Sequence, residues 1–192
     1  SGSEDHPITY AAYPGEMPVI SGGRKIVGEW KPYRDGIMMC DLPEAKEGNL
    51  DFTKLFVDGK RQSRARYPNY DPENPRVQGK GYINAKAALP DEMVRERIAQ
   101  RDLLSPPRMA PKGFIFDPET FTTKKWAKPQ EAVVHIFNSA YWGNLQWEIE
   151  EIDRENHIIW FGHGGFQICL PPRIAPVSRF FIENVLEELD AP

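Results

Sequence analysis

Eighteen prolines are spread through the 192 residues of this chain, and they limit its fold more than any other feature. Proline fixes φ and lacks an amide donor, so it is excluded from helix interiors and central strands. At well above the usual ~5% of proline, the chain is restricted to short strands joined by long ordered loops. Its length allows one compact core with a smaller appendage and is too short for two full-sized domains.

The hydrophobic pattern is that of strands. Ile8-Thr9-Tyr10, Tyr13-Pro14-Gly15-Glu16 and Pro18-Val19-Ile20-Ser21-Gly22-Gly23 are short β-type stretches separated by turns. Stretches this short make no stable sheet alone and suit coils of a solenoid, each covered by its neighbour. From Ile37 the character changes: Ile37–Cys40 reads as a strand, and Leu55–Gln62 reads as a hairpin around Asp58-Gly59, which supplies the positive φ of a tight primed turn. Residues 67–81 form a proline- and glycine-rich loop. Pro90–Arg101 is the one helix, with Asp91 and Glu92 at its start and a narrow apolar stripe of Val94 and Ile98 on the face that Arg101 shares, as befits a surface helix. Strands return at Val133–Phe137, Leu145–Glu150 and His157–Phe161. Leu145, Trp147 and Ile149 alternate with Gln146, Glu148 and Glu150, as in a sheet with one wet face. Asp153–Asn156 is the turn before the last strand. The bulk of the chain therefore reads as a β-sandwich or barrel.

Several functions are disfavoured. A net charge of −4, from 24 basic and 28 acidic residues, offers no positive field for a phosphate backbone, so no nucleic-acid partner is expected. There is no apolar run of ~18 residues to span a membrane, and no signal-peptide pattern. The start at Ser1-Gly2-Ser3, without Met, reads as a processed or truncated chain. Cys40 and Cys169 are compatible with one disulfide or with two buried thiols. His135, His157 and His163 have no metal-ligand spacing, so neither metal nor cofactor is expected. Gly162-His163-Gly164-Gly165-Phe166 resembles an oxyanion-hole string, but no Gly-x-Ser-x-Gly elbow exists to use it.

Among candidate contact residues, Tyr141-Trp142-Gly143-Asn144 is the most site-like string. Trp142 offers a flat apolar face with one donor, Gly143 allows close approach, and Asn144 supplies both a donor and an acceptor. The competing role is an aromatic cover over the barrel edge. Arg66 and Asn69, with Arg64 and Tyr67, can donate to or stack on a sugar; structurally, Arg66 would pair with a carboxylate and Asn69 would make an Asx turn. Glu148, Glu150 and Glu151 fit a solvated strand face better than an acid–base pair. Glu187 and Asp190 fit backbone capping or bridging. Trp147 and Trp160 read as core.

A resemblance runs through the chain in order. It is carried by Ser1–Tyr10, by Tyr13–Glu16 with Pro18–Gly23, and by Leu55-Phe56-Val57-Asp58-Gly59-Lys60-Arg61 followed by Ala65-Arg66-Tyr67-Pro68-Asn69. Asp153 in its hairpin and the ending Ser178–Pro192 complete it. In these words the chain resembles bacterial right-handed parallel β-helix proteins similar to glycoside hydrolase family 141, whose activities include fucosidase and xylanase. The resemblance implies a mainly β protein, with a β-sandwich or barrel-like insertion domain attached to a short stretch of parallel β-helix and one surface helix. Residues 1–30 would be the first, partial coils. Residues 31–178 would be the insertion, with a helical excursion near 90–104, and residues 179–192 the return to the β-helix, cut inside a motif.

Glycosidases need two carboxylates roughly 5 to 10 Å apart, and in the resembling family these lie on later coils. No catalytic residue is therefore expected in this chain. The implied role is a non-catalytic insertion that shapes the substrate groove of a secreted, periplasmic or cell-surface protein of polysaccharide degradation, contacting a poly- or oligosaccharide through Trp142, Asn144, Tyr141, Arg66 and Asn69. The alternatives are an autonomous carbohydrate-binding module and a structural domain of a non-enzymatic β-helix protein. The chain would pack on the rest of its own β-helix, and exposed coil edges would also permit an oligomer.

Overall fold

The computed structural model describes residues 2–101, 111–121, 126–141, 143–165 and 174–190, with the backbone alone for 98–101. Residues 2–29 form no strand apart from a single bridge between Ser3 and His6. Their apolar side chains point into solvent: Ile20 is fully exposed, and Met17 and Tyr10 are more than 90% exposed. The stretches expected as coil strands are thus unpaired, because among the described residues no strand lies alongside them to accept their backbone hydrogen bonds.

Two hairpins follow. Strand β1 (Trp30–Arg34) pairs with β2 (Ile37–Cys40) around Asp35-Gly36. After the single-turn helix α1 (Pro43–Lys46), β3 (Phe56–Val57) pairs with β4 (Lys60–Arg61) around Asp58-Gly59. Asp58 and Gly59 have φ of 48° and 74°, the double positive φ of a primed hairpin turn.

The remaining elements are β5 (Arg66–Tyr67), β6 (Ile83–Ala88), α2 (Asp91–Arg101), β7 (Gly113–Phe116), β8 (Val133–Phe137), β9 (Asn144–Asp153), β10 (Ile158–Gly164) and β11 (Arg179–Glu183). Six of these strands close an antiparallel barrel in the order β11-β6-β7-β10-β9-β8 and back to β11. One edge of β11 is shared, Arg179 and Phe180 pairing with β6 and Ile182 and Glu183 with β5. Of the two β architectures open from sequence, the chain takes the barrel, and closure leaves the six strands without a free edge. The closing strand lies at Arg179–Glu183, inside the stretch read as a return to the solenoid, so the barrel extends five residues further than Ser178.

The barrel is filled by alternate residues. Leu145, Trp147 and Ile149 of β9, Phe114 and Phe116 of β7, Ile159 and Phe161 of β10, and Phe180 and Ile182 of β11 form one buried cluster. Phe114 and Phe180 meet edge to face at 4.6 Å, and Trp147 stacks on Phe161 at 4.4 Å. Each buried aromatic or aliphatic side chain contributes roughly 1.5–3 kcal/mol. In β9 the alternation breaks at Glu150, since Phe161 sits opposite Ile149 and Trp160 opposite Glu151, which leaves Glu150 as the extra residue of a bulge.

Trp160 is buried, but not in the barrel core where the sequence places it. It alternates with Ile159 and Phe161, so it points outward, and Arg97 of α2 lies over its ring at 4.1 Å. Arg97 also bonds Glu151 at 2.7 Å and Glu150 at 3.2 Å. Two carboxylates expected on a solvated face therefore anchor the helix, while Glu148 remains exposed.

Candidate functional site

The chain enters and leaves the barrel at one place. Asn184 donates its amide to the Ala65 carbonyl at 2.9 Å, one residue beyond the β5–β11 pairing. Asn184 has a φ of 68°, which Asn tolerates better than most residues, and its side chain bonds the Glu131 carbonyl at 2.7 Å. Glu183 points outward beside it and takes Arg64 at 3.1 Å. His135 Nε2 stands 3.2 Å from the same Glu183 oxygen, within ion-pair distance but not aligned as a hydrogen bond. Burial alone would raise the Glu183 carboxyl, but His135 and Arg64 outweigh it and hold the group below its ordinary value of 4.5.

An aromatic run crosses the barrel exterior from this point. His135 stacks on Phe181 at 4.3 Å, Phe181 meets Tyr82 at 5.4 Å, Tyr82 meets Phe137 at 6.0 Å, and Phe137 meets Tyr141 at 6.4 Å. His135 and Phe137 face outward because Val134 and Ile136 fill the interior. Arg66 lies at the centre, its guanidinium 3.6 Å over Phe181 with Tyr82 and Tyr70 flanking it. Its hydrogen bonds go to the carbonyls of Pro68, at 3.0 Å, and of Gly81. The carboxylate partner expected for Arg66 is replaced by carbonyls and rings, because the 67–81 loop folds back over the guanidinium. Burial pulls the Arg66 pKa down, partly offset by Tyr82 and Glu183. Only 8% exposed, Arg66 braces the loop.

Asn69 makes no Asx turn in the loop. Its amide donates to Asp190 at 3.0 Å, tying the start of the loop to the chain end. Glu187 accepts the Ala127 amide at 2.7 Å, a backbone-bridging role of the kind expected for it. Glu188 is almost fully buried and accepts Trp126 Nε1 at 2.8 Å. Arg34 of β1 reaches the Leu189 carbonyl at 2.8 Å, so the first hairpin meets the same junction.

Between the 67–73 loop and this C-terminal turn lies a cavity of about 580 Å³, walled by Tyr67, Asn69, Tyr70, Asp71, Glu188 and Asp190, among others. A larger cleft of about 1230 Å³ lies among the N-terminal segments, beside the part-exposed Trp30, Phe52 and Phe56.

The string at 141–144 is only partly assembled. Tyr141 has a φ of 59°, and its hydroxyl is spent on the Val177 carbonyl. Asn144 begins β9 opposite Phe137, and its Oδ1 is buried with no hydrogen-bond partner among the described residues. Trp142 lies outside the described residues, as does Cys169. Of the predicted contact residues, Arg66, Asn69 and Tyr141 are thus engaged by the protein itself. Tyr70, which sequence reasoning passed over, borders the cavity, as does Asp190, read from sequence as a capping or bridging residue; the signal for Tyr70 was a second tyrosine inside a loop bracketed by Pro68 and Pro72. Among the described residues, no group of three or more His, Cys, Asp or Glu is placed to hold a metal ion. No family model, no curated protein and no solved structure matches the chain.

Proposed function

We propose that this chain is a non-catalytic accessory unit, a β-barrel inserted into the early coils of a secreted, carbohydrate-active parallel β-helix protein similar to glycoside hydrolase family 141. In that setting the barrel stands beside the substrate groove and helps to shape it. One observation carries the reading: the strands that bring the chain into the barrel and out of it lie side by side, closed by the Asn184–Ala65 hydrogen bond, the Glu183–Arg64 pair and the Asn69–Asp190 bond. A unit whose ends meet in this way can interrupt another fold without disturbing it.

The exposed apolar side chains of residues 8–27 support the same reading, since they await a covering surface such as a neighbouring coil. An accessory unit turns over no glycan. Incubation with aryl fucosides and xylo-oligosaccharides is expected to release no sugar, and hydrolysis by the chain would overturn the proposal. A carbohydrate-binding role is favoured by one further feature, the part-exposed Tyr70 beside the cavity at the junction.

A further inference from the structure

We propose that the cavity between the 67–73 loop and the C-terminal turn is a subsite for a neutral sugar residue, and that it rejects uronate and sulfated glycans. This rests on the carbohydrate reading above and adds the ligand class. The volume of about 580 Å³ falls within the roughly 300–1,000 Å³ of small-molecule sites. Tyr70 is 45% exposed and presents an aromatic ring at the cavity, the surface on which the apolar face of a pyranose stacks. Asn69 and Asp190 are already joined at 3.0 Å, so among the described residues the second oxygen of Asp190 and the second amide hydrogen of Asn69 are left as a paired acceptor and donor for vicinal hydroxyls.

Charge selects the ligand. Among the described residues, Asp71, Glu73, Glu188 and Asp190 line the cavity against one cation, Lys80. Asp71 is fixed by the amides of Glu73, Asn74 and Lys80, and Glu188 by Trp126, so both carboxyl groups are held in place in the wall. An incoming carboxylate or sulfate meets net repulsion, whereas a hydroxyl finds acceptors.

The test is isothermal titration of the intact chain at low ionic strength with neutral xylo- and manno-oligosaccharides, an oligogalacturonate and a sulfated oligosaccharide. Saturable binding of a neutral glycan is expected. It should weaken about tenfold or more in Tyr70→Ala and stay within about threefold in Tyr70→Phe, which keeps the ring. The oligogalacturonate and the sulfated oligosaccharide should give no heat. A neutral glycan that binds equally well to Tyr70→Ala would place the sugar elsewhere, overturning the subsite while leaving the accessory-unit reading intact. A preference for the uronate would overturn the charge argument. No heat with any glycan would overturn the subsite, and the accessory reading would then stand or fall on the turnover assay.

Discussion

Replacing Glu183 with Gln removes the charge at the neck of the barrel while keeping the side chain's shape. In the folded protein Glu183 bridges Arg64 at 3.1 Å and His135 at 3.2 Å. Its side chain is 19% exposed and that of Arg64 29%, so the pair lies between a solvent-screened surface bridge and a buried one. Surface pairs are worth about 0.2–1 kcal/mol, and hydrogen bonds to charged groups about 1.5–3 kcal/mol. A loss of about 1–2 kcal/mol at pH 7 follows. With a urea m-value of about 2 kcal/mol/M for a domain of this size, the midpoint should fall by about 0.5–1 M. The pH dependence gives a second readout. The folded Glu183 carboxyl lies below its ordinary 4.5, so its contribution is complete above 4.5 and is lost as pH falls through the folded value. The gap between wild type and Glu183→Gln should therefore be full at pH 7 and shrink steadily below pH 4.5. Urea titrations at a series of pH values read both effects. An unchanged midpoint at pH 7, or a gap that does not close in acid, would refute the role given to this cluster.

Further expectations concern the barrel and its helix. Phe180→Ala, which empties a fully buried ring position, should cost about 3–5 kcal/mol in denaturant titration. Gly165→Ala should cost about 3 kcal/mol, because φ is +69° there and the new Cβ would fall 2.2 Å from the Trp147 indole; a thermal melt checks it. Arg97→Ala should uncover Trp160 and leave Glu150 and Glu151 without their shared cation, shifting tryptophan emission to the red and lowering stability by about 1 kcal/mol.

Local elements were legible where a residue's own chemistry dictates geometry. Asp58-Gly59 marks its hairpin because both positions need positive φ. Asp153 marks the β9–β10 turn by accepting the amides of Glu155 and Asn156. The period of two in Leu145, Trp147 and Ile149 identifies the inner face of β9. Strands defined by partners were not legible. Ile83–Ala88 is half alanine and weak in β propensity, and it is a strand because β7 and β11 flank it. Trp160 showed its burial but not its direction, since an outward tryptophan under a helix has the same local sequence as an inward one. Residues 8–26 have strand-like composition yet join no strand among the described residues, because a coil strand is defined by its neighbour. The partners of Arg66 and Asn69 were hidden for a similar reason: the carbonyls of Pro68 and Gly81 and the Asp190 carboxylate arrive only through tertiary folding.

The barrel is closed where the chain enters and leaves it, whereas the segment ahead of it leaves its apolar side chains exposed. Native-state hydrogen exchange of the intact chain, followed amide by amide, tests this most directly. Amides in β8, β9, β10 and β11, together with that of Asn184, should exchange slowly and as one cooperative unit, while those of residues 7–29 exchange at rates close to those of an unstructured peptide. Protection of residues 7–29 equal to that of the barrel, or an Asn184 amide that exchanges freely while the barrel strands stay protected, would contradict the account.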